Sequence, residues 1–321
     1  MSLQERLTLA ERFSNFEAKH KSTICYVYAF GAAISFTTVN FLVKNLPNLT
    51  SSEILFYRSI QLFGMTMFMM ETQKMEYHFP DTKINRLLIS RGFAGLVAML
   101  LNFYGLKLLP LSEASVISQT SPAIVGVFAT IFLKEKYELS QFLSALFCFF
   151  GVLLVAKPEF LFQLDEETRA ESNLKFVGVI ALLTGTIFVA TTQVLVKTIG
   201  AKTNEGVVTL YFAAIASIFS PLAAMYQGFN PFNFPDLIIL LLLGVFTFTG
   251  QMCRNKAYIL GNPGKVAIVQ YFGIIYSMLL DVFVLDSKLD IYSVLGALCI
   301  FSTLFVFLYK IIKKEREKQN K

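Results

Sequence analysis

Tryptophan is absent, histidine occurs twice and cysteine four times in 321 residues. His20 and His78 stand outside the apolar runs, so no His-rich metal site is expected and no metal or cofactor is assigned. Cys25, Cys148, Cys253 and Cys299 form no CxxC and lie in or at the ends of apolar runs; they read as buried, inert thiols. Charge is also scarce. Only 16% of residues are charged, against about 25% in soluble domains. With 55% apolar residues and a mean hydropathy of +0.59, that excludes an ordinary soluble enzyme. The net charge of +6 then belongs to cytoplasmic loops and a tail, and no nucleic-acid partner is expected. No GxxxxGK[ST] sequence is present, which excludes a built-in ATP motor of that type. Asp281 is the one acid deep in an apolar run, so the paired aspartates of an intramembrane protease are missing and no catalytic residue is assigned. Without tryptophan, the interfacial role falls to tyrosine, with Tyr26, Tyr104, Tyr137, Tyr226, Tyr292 and Tyr309 near the ends of runs.

What the chain does have is repeated apolar stretches of spanning length. Residues 1–22 form a polar N-terminal tail, read as a surface helix or a loose segment. Five spans are expected in 23–155, near Thr23–Val43, Ser52–Met70, Leu87–Leu106, Ser112–Leu133 and Leu139–Val155. An acidic linker loop, 156–175, separates them from five more in 176–312, near Phe176–Val196, Gly206–Tyr226, Asp236–Cys253, Gly264–Leu285 and Ile291–Ile312. Residues 313–321 are a charged C-terminal tail. Ten spans put both termini on one side. That side carries 19 lysines and arginines against 6 opposite, which predicts cytoplasmic termini. The fold class is therefore an all-α membrane protein in contact with the lipid bilayer.

The two halves resemble each other. At a shift of 152 residues, Leu143, Ala145, Leu146 and Phe149 fall on Leu295, Ala297, Leu298 and Phe301 without a gap. Leu42-Val43-Lys44 echoes Leu195-Val196-Lys197 at a shift of 153. An odd number of spans per copy turns the second copy upside down, so the chain reads as ten transmembrane helices in two inverted five-helix repeats. Such a pair opens to either side with similar energies, which suits alternating access.

Polar side chains inside the spans are costly in lipid and must face a cavity or a partner. Ser115, Ser118, Gln119 and Pro122 share one face of span four, the proline kinking the helix. The repeat mates of Ser118 and Gln119 are Gln270 and Tyr271, and a common central space is expected between them. Thr247 and Gln251 lie on span eight, with Arg254 one turn on and Asn102 of span three as the repeat mate of Arg254. For an anionic solute, Arg254, Lys256 and Lys265 are the candidate cations, although positive-inside topology is the stronger explanation for them. Asp281 is the candidate for ion coupling, or else a partner of Lys288. Arg58, inside span two, is expected to act as a structural brace, paired with Glu53 or with backbone carbonyls. Gly31, Ser35, Gly92 and Gly95 are expected at close helix contacts.

The stretch Asn102–Leu139 resembles the EamA-type branch of the drug/metabolite transporter superfamily. The pattern is Tyr104-Gly105, a turn to Pro110, Ala114-Ser115, Ser121-Pro122 and then Glu135. A weaker copy runs from Asn255-Lys256-Ala257-Tyr258 through Gly264-Lys265-Val266-Ala267 to Leu285-Asp286, with Ile274 in the place of Pro122 and Ser287 in that of Glu135. The chain is similar overall to the G-type members of solute carrier family 35. The resemblance implies a central cavity lined mainly by spans three, four, eight and nine, with span two peripheral. It also implies secondary-active movement of a small organic solute, nucleotide-sugar-like or another metabolite. The alternative is a structural or regulatory membrane protein on the same fold with a degenerate site.

Overall fold

A computed structural model describes residues 21–74, 81–109, 111–118, 120–134, 169–227, 230 and 233–284, with isolated helical positions at 143, 146, 147, 150, 295, 298, 299 and 302. Among these residues the regular structure is helical throughout: α1 Lys21–Lys44, α2 Ser51–Thr72, α3 Thr82–Leu108, α4 Leu111–Ser118, α5 Ser121–Leu133, α6 Arg169–Ile199, α7 Glu205–Gln227, α8 Phe234–Leu260, α9 Pro263–Val269 and α10 Phe272–Phe283. A 3₁₀ turn, Gly200–Lys202, links α6 to α7. The helix expected from Phe176 begins earlier, at Arg169. The two tails, and most of the fifth and tenth expected spans, lie outside the described residues.

The helix starts are set by local chemistry. Thr50 and Glu53 form a capping box on α2: the Thr50 side chain accepts from the Glu53 N–H, and the Glu53 carboxylate accepts from the Thr50 N–H. Asp81 accepts from the Lys83 N–H at the head of α3. Asn262 accepts from the Lys265 N–H, and Pro263 follows at a position whose N–H would be unpaired in any case.

Five of these helices are long and apolar enough to cross a membrane: α1, α3, α6, α7 and α8. α2 is 22 residues long, about 33 Å at 1.5 Å per residue. Ser52, Glu53, Arg58, Ser59 and Thr66 are buried along it, while Glu71 and Thr72 at its end are exposed. The outward surface is apolar, with Phe68, Phe132, Phe234 and Phe283 largely exposed, as a lipid-facing wall requires.

The packing carries the signature of the duplication. α3 packs most extensively on α6, and α8 on α1; α2 packs on α7. Matching α1 with α6, α2 with α7 and α3 with α8 turns the first two contacts into each other and the third into itself. The short helices obey the same exchange, α9 lying on α5 and α10 on α4. Two lysines repeat the relation at atomic detail. Lys44 Nζ donates to the carbonyl of Leu109 at the end of α3, and Lys197 Nζ donates to that of Gly261 at the end of α8. Leu109 and Gly261 are again 152 residues apart.

Glycine permits the closest of these approaches. A Cβ on Gly105 would stand 2.6 Å from Leu182 Cγ and 2.8 Å from the Gly178 carbonyl oxygen, and one on Gly185 would stand 2.6 Å from Asn102 Nδ2. The backbones of α3 and α6 meet there. Gly92 and Gly95 face Ile215 and Phe212 of α7, in line with the close contact expected of them.

Spans four and nine are both broken. α4 ends at Ser118 and α5 begins at Ser121 after a turn at Thr120, and α9 gives way to α10 at 270–271. At the breaks the backbone tightens to bonds three residues apart. Thr120 N donates to Ile117 O at 3.0 Å, Gln270 N to Ala267 O at 3.1 Å, Tyr271 N to Ile268 O at 3.1 Å and Ile274 N to Tyr271 O at 3.0 Å. The second break forms with Ile274 where the first copy has Pro122, so the proline is not what makes it.

Candidate functional site

Two apolar clusters flank the molecular centre. One gathers the N-terminal parts of α1 and α3 with the C-terminal part of α8, through Ala29, Leu88 and Tyr258. The other gathers the opposite ends of the same helices, through Val43, Leu106 and Leu240. Between them lies a cavity of about 110 Å³. Its lining is polar for so deep a position.

The cationic wall comes from α2 and α8. Arg58 is 1% exposed and Arg254 8%. Arg58 Nε donates to Thr247 Oγ1 at 2.8 Å, and its guanidinium lies 5.5 Å from the Phe103 ring centre. Its Nη1 and Nη2 are buried with no acceptor among the described residues. Arg254 Nη2 donates to Gln251 Oε1 at 2.6 Å, and its guanidinium sits 4.2 Å over Phe36. Weakly hydrated, planar guanidinium groups tolerate such aromatic neighbours better than ammonium groups do.

The facing wall is neutral and hydrogen-bonding. Asn102 Nδ2 donates to the Ala98 carbonyl at 2.7 Å, and its Oδ1 accepts from Ser118 Oγ at 3.3 Å. Gln270 stands at the break between α9 and α10. Its Nε2 donates to Tyr258 Oη at 3.3 Å, and Tyr258 donates on to Gln193 Oε1 of α6 at 2.8 Å. Asn40, Ser115 and Ser121 complete this side. No aspartate or glutamate lines the cavity among the described residues.

Of the residues singled out from sequence, Asn102, Ser118, Arg254 and Gln270 line the cavity. Gln251 is fully buried behind it and holds Arg254. Tyr271 is 2% exposed and packs in the first apolar cluster. Lys256 lies 3.7 Å from Glu205, with its ammonium 5.2 Å from the Tyr28 ring centre. Lys265 opens α9, and neither lysine is on the cavity wall. Gln119 and the side chain of Asp281 lie outside the described residues, as does the pairing with Lys288.

Arg58, Asn40, Thr186 and Gln193 are among the lining residues not assigned to the site from sequence. Arg58 was expected as a peripheral brace; α2 instead packs on α7 and α8, which brings Arg58 to the centre. Glu53 is engaged elsewhere, by Thr50 and by Asn230. Asn40, Thr186 and Gln193 come from α1 and α6, because each of these packs against a central helix of the other half. The lining thus extends beyond the four expected spans. A signal was present for two of them: Asn40 and Gln193 are 153 residues apart, the shift at which Lys44 meets Lys197.

The EamA-like transporter family model matches twice, over residues 23–157 and 176–309. The chain belongs to the EamA-like transporter family. It is similar to human solute carrier family 35 member G1, at 28% identity over 296 residues covering 89% of this chain and 80% of that one. It is also similar to the pseudopaline exporter CntI of Pseudomonas aeruginosa, at 26% identity over 248 residues, 77% of this chain and 82% of that protein. A solved crystal structure of a protein superposes with a TM-score of 0.70 over 92% of this chain and 99% of its own, at 16% identity, which shows the shared fold. These findings make the chain an integral membrane transporter of small molecules with two repeats. Its relatives are named as transporters, in keeping with a non-enzymatic role.

Proposed function

We propose that the protein is a secondary transporter of a small organic anion, moved by alternating access of the two repeats around the central cavity. One observation carries the reading. Arg58 and Arg254 line a cavity that has no acidic side chain on its described wall, and Arg58 keeps two donors without an acceptor. A buried, unpaired guanidinium costs several kcal/mol unless something supplies negative charge. A carboxylate or phosphate entering the cavity supplies it, and the planar fork of arginine suits both.

Cavity size narrows the solute. A buried water takes about 10–15 Å³ of this kind of volume, so about 110 Å³ accommodates a metabolite of few atoms and leaves a nucleotide sugar too large for this conformation. The neutral wall of Asn102, Ser118, Gln193 and Gln270 suits hydroxyl or amide groups on the same solute. Asn102, Arg254 and Gln270 keep the role expected of them from sequence. Lys256 is better explained by its ion pair with Glu205 than by solute.

Alternating access is supported by the reciprocal packing and by the paired breaks in spans four and nine, since discontinuous helices at matched positions let each half rearrange about a shared site. The paired breaks also speak against a degenerate site: the second copy keeps the feature without the proline. Cytoplasmic termini remain the topology favoured by the charge bias. Cysteine tags at Ser2 and Ser172 labelled from the same side would overturn it. Transport itself is tested in proteoliposomes with radiolabelled small carboxylates and phosphates. Saturable uptake that is lost in both Arg58→Gln and Arg254→Gln is the expected result, and equal uptake by correctly inserted variants would refute the reading.

A further inference from the structure

Behind Arg254 lies a second, much smaller chamber of about 10 Å³, bounded by Arg91, Gly95, Thr192, Phe212, Gln251 and Arg254. Its polar boundary is rich in donors. Arg91 is 2% exposed and Gln251 0%. Arg91 Nη2 donates to Asn255 Oδ1 at 3.3 Å, and its guanidinium lies 4.8 Å from the Phe212 ring centre. Its Nε and Nη1 are buried without an acceptor among the described residues, and so is Gln251 Nε2. The amide of Gln251 is oriented by its oxygen, which accepts from Arg254, so its nitrogen is the group left over. No carboxylate lines this chamber among the described residues.

Two guanidinium groups and an amide N–H group border a space one atom wide. We infer that this chamber holds a single monatomic anion, chloride in the cell, bound by Arg91 and Gln251 behind the transport cavity. The size decides between anions. About one probe sphere of volume fits one water or one halide, whereas a carboxylate brings three heavy atoms and a phosphate five. The chemistry decides between water and halide. A water must also donate two hydrogen bonds, and the unsatisfied groups here are all donors; a halide accepts from each and neutralises charge as well. Arg254 faces both spaces, so the anion holds its guanidinium beside the cavity. The inference does not depend on which solute the transporter carries.

The test uses purified full-length protein in detergent, at fixed ionic strength, with sodium chloride or bromide exchanged for sodium gluconate. Unfolding is followed with a thiol-reactive dye, because the chain lacks tryptophan and buried Cys25 becomes reactive on opening. The expected result is a melting temperature that rises saturably with halide, by roughly 3 °C or more, and does not rise with gluconate. Gln251→Glu places a carboxylate at the orphaned amide and should abolish the halide dependence while leaving the protein folded. Crystals grown in bromide should show an anomalous peak in the chamber. Identical melting in halide and gluconate, a halide response that survives Gln251→Glu, or water alone in the chamber of bromide crystals would each overturn the inference. Stabilisation by organic anions in gluconate buffer is a separate readout, so failure here leaves the transport reading standing.

Discussion

The two repeats agree in their scaffold and differ in their chemistry. Each has a lysine closing its first helix onto the carbonyl that ends its third, Lys44 with Leu109 and Lys197 with Gly261. Each breaks its fourth span at the matching position. The charged centre shows no such pairing. Arg254 has Asn102 as its mate, and Arg91 has Leu243. Arg58 falls on Leu210 or Tyr211, depending on whether the shift is 152 or 153. Backbone contacts that let two halves exchange roles must stay matched, whereas a solute with one charged end needs its cations on one side only. Symmetry therefore marks the scaffold, and its violation falls on the arginines proposed to hold the solute.

The sharpest way to break that comparison is to remove the unmatched charges. Arg58→Gln and Arg254→Gln should each lower uptake of an anionic solute by roughly 10- to 100-fold, the range given by about 1.5–3 kcal/mol for a hydrogen bond to a charged group. Asn102→Gln, on the neutral facing wall, should cost less than either. Initial rates in proteoliposomes check this, and Asn102→Gln falling below both arginine variants would reverse the assignment.

Scaffold substitutions come next, and should act on stability. Gly105→Val would drive a side chain into Leu182 and the Gly178 carbonyl, costing about 1–3 kcal/mol by overpacking. Gly64→Ala meets nothing within 4 Å and should be neutral or slightly stabilising, because alanine favours helix by up to about 1 kcal/mol. Thermal unfolding of the two variants separates a packed glycine from a free one. The paired lysines should behave alike: Lys44→Met and Lys197→Met each lose one charged hydrogen bond to a carbonyl and should lower stability by similar amounts, about 1–2 kcal/mol. A large difference in melting temperature between them would show that the repeats are not mechanically equivalent. The smallest effect is expected from the lysines off the cavity. Lys256→Gln combined with Lys265→Gln should change uptake by less than roughly threefold, since the Lys256–Glu205 pair is partly exposed and such pairs contribute little.

The all-helical membrane fold and its duplication were legible because lipid imposes a length and an apolarity on every span, and because a gap-free 152-residue register survives in ordinary side chains such as Leu143 and Leu295. Asn102, Ser118, Arg254 and Gln270 were legible because polar groups inside apolar runs must be accounted for. The place of Arg58 on the cavity wall was hidden for a tertiary reason. Nothing in its own helix reveals that α2 crosses beside α8, so the same charge reads equally as a brace or as a cavity wall. Lys256 shows the converse. A cation two positions on from Arg254 points about 200° around the helix, to the other face, here toward Glu205. The break at Gln270 was also hidden, because the sequence offers no proline there and the tightened turn is made by backbone bonds alone.

Solute charge is the most direct point of attack on the central proposal. Purified protein is heated with small carboxylates and phosphates, and in parallel with neutral amide or ester analogues of the same size. The expected result is a saturable rise in melting temperature with one or more of the anions, absent with its neutral analogue and lost in Arg58→Gln and Arg254→Gln. Stabilisation by a neutral analogue equal to that by its anion, or unchanged anion stabilisation in both arginine variants, would contradict the assignment of the unmatched arginines to the solute.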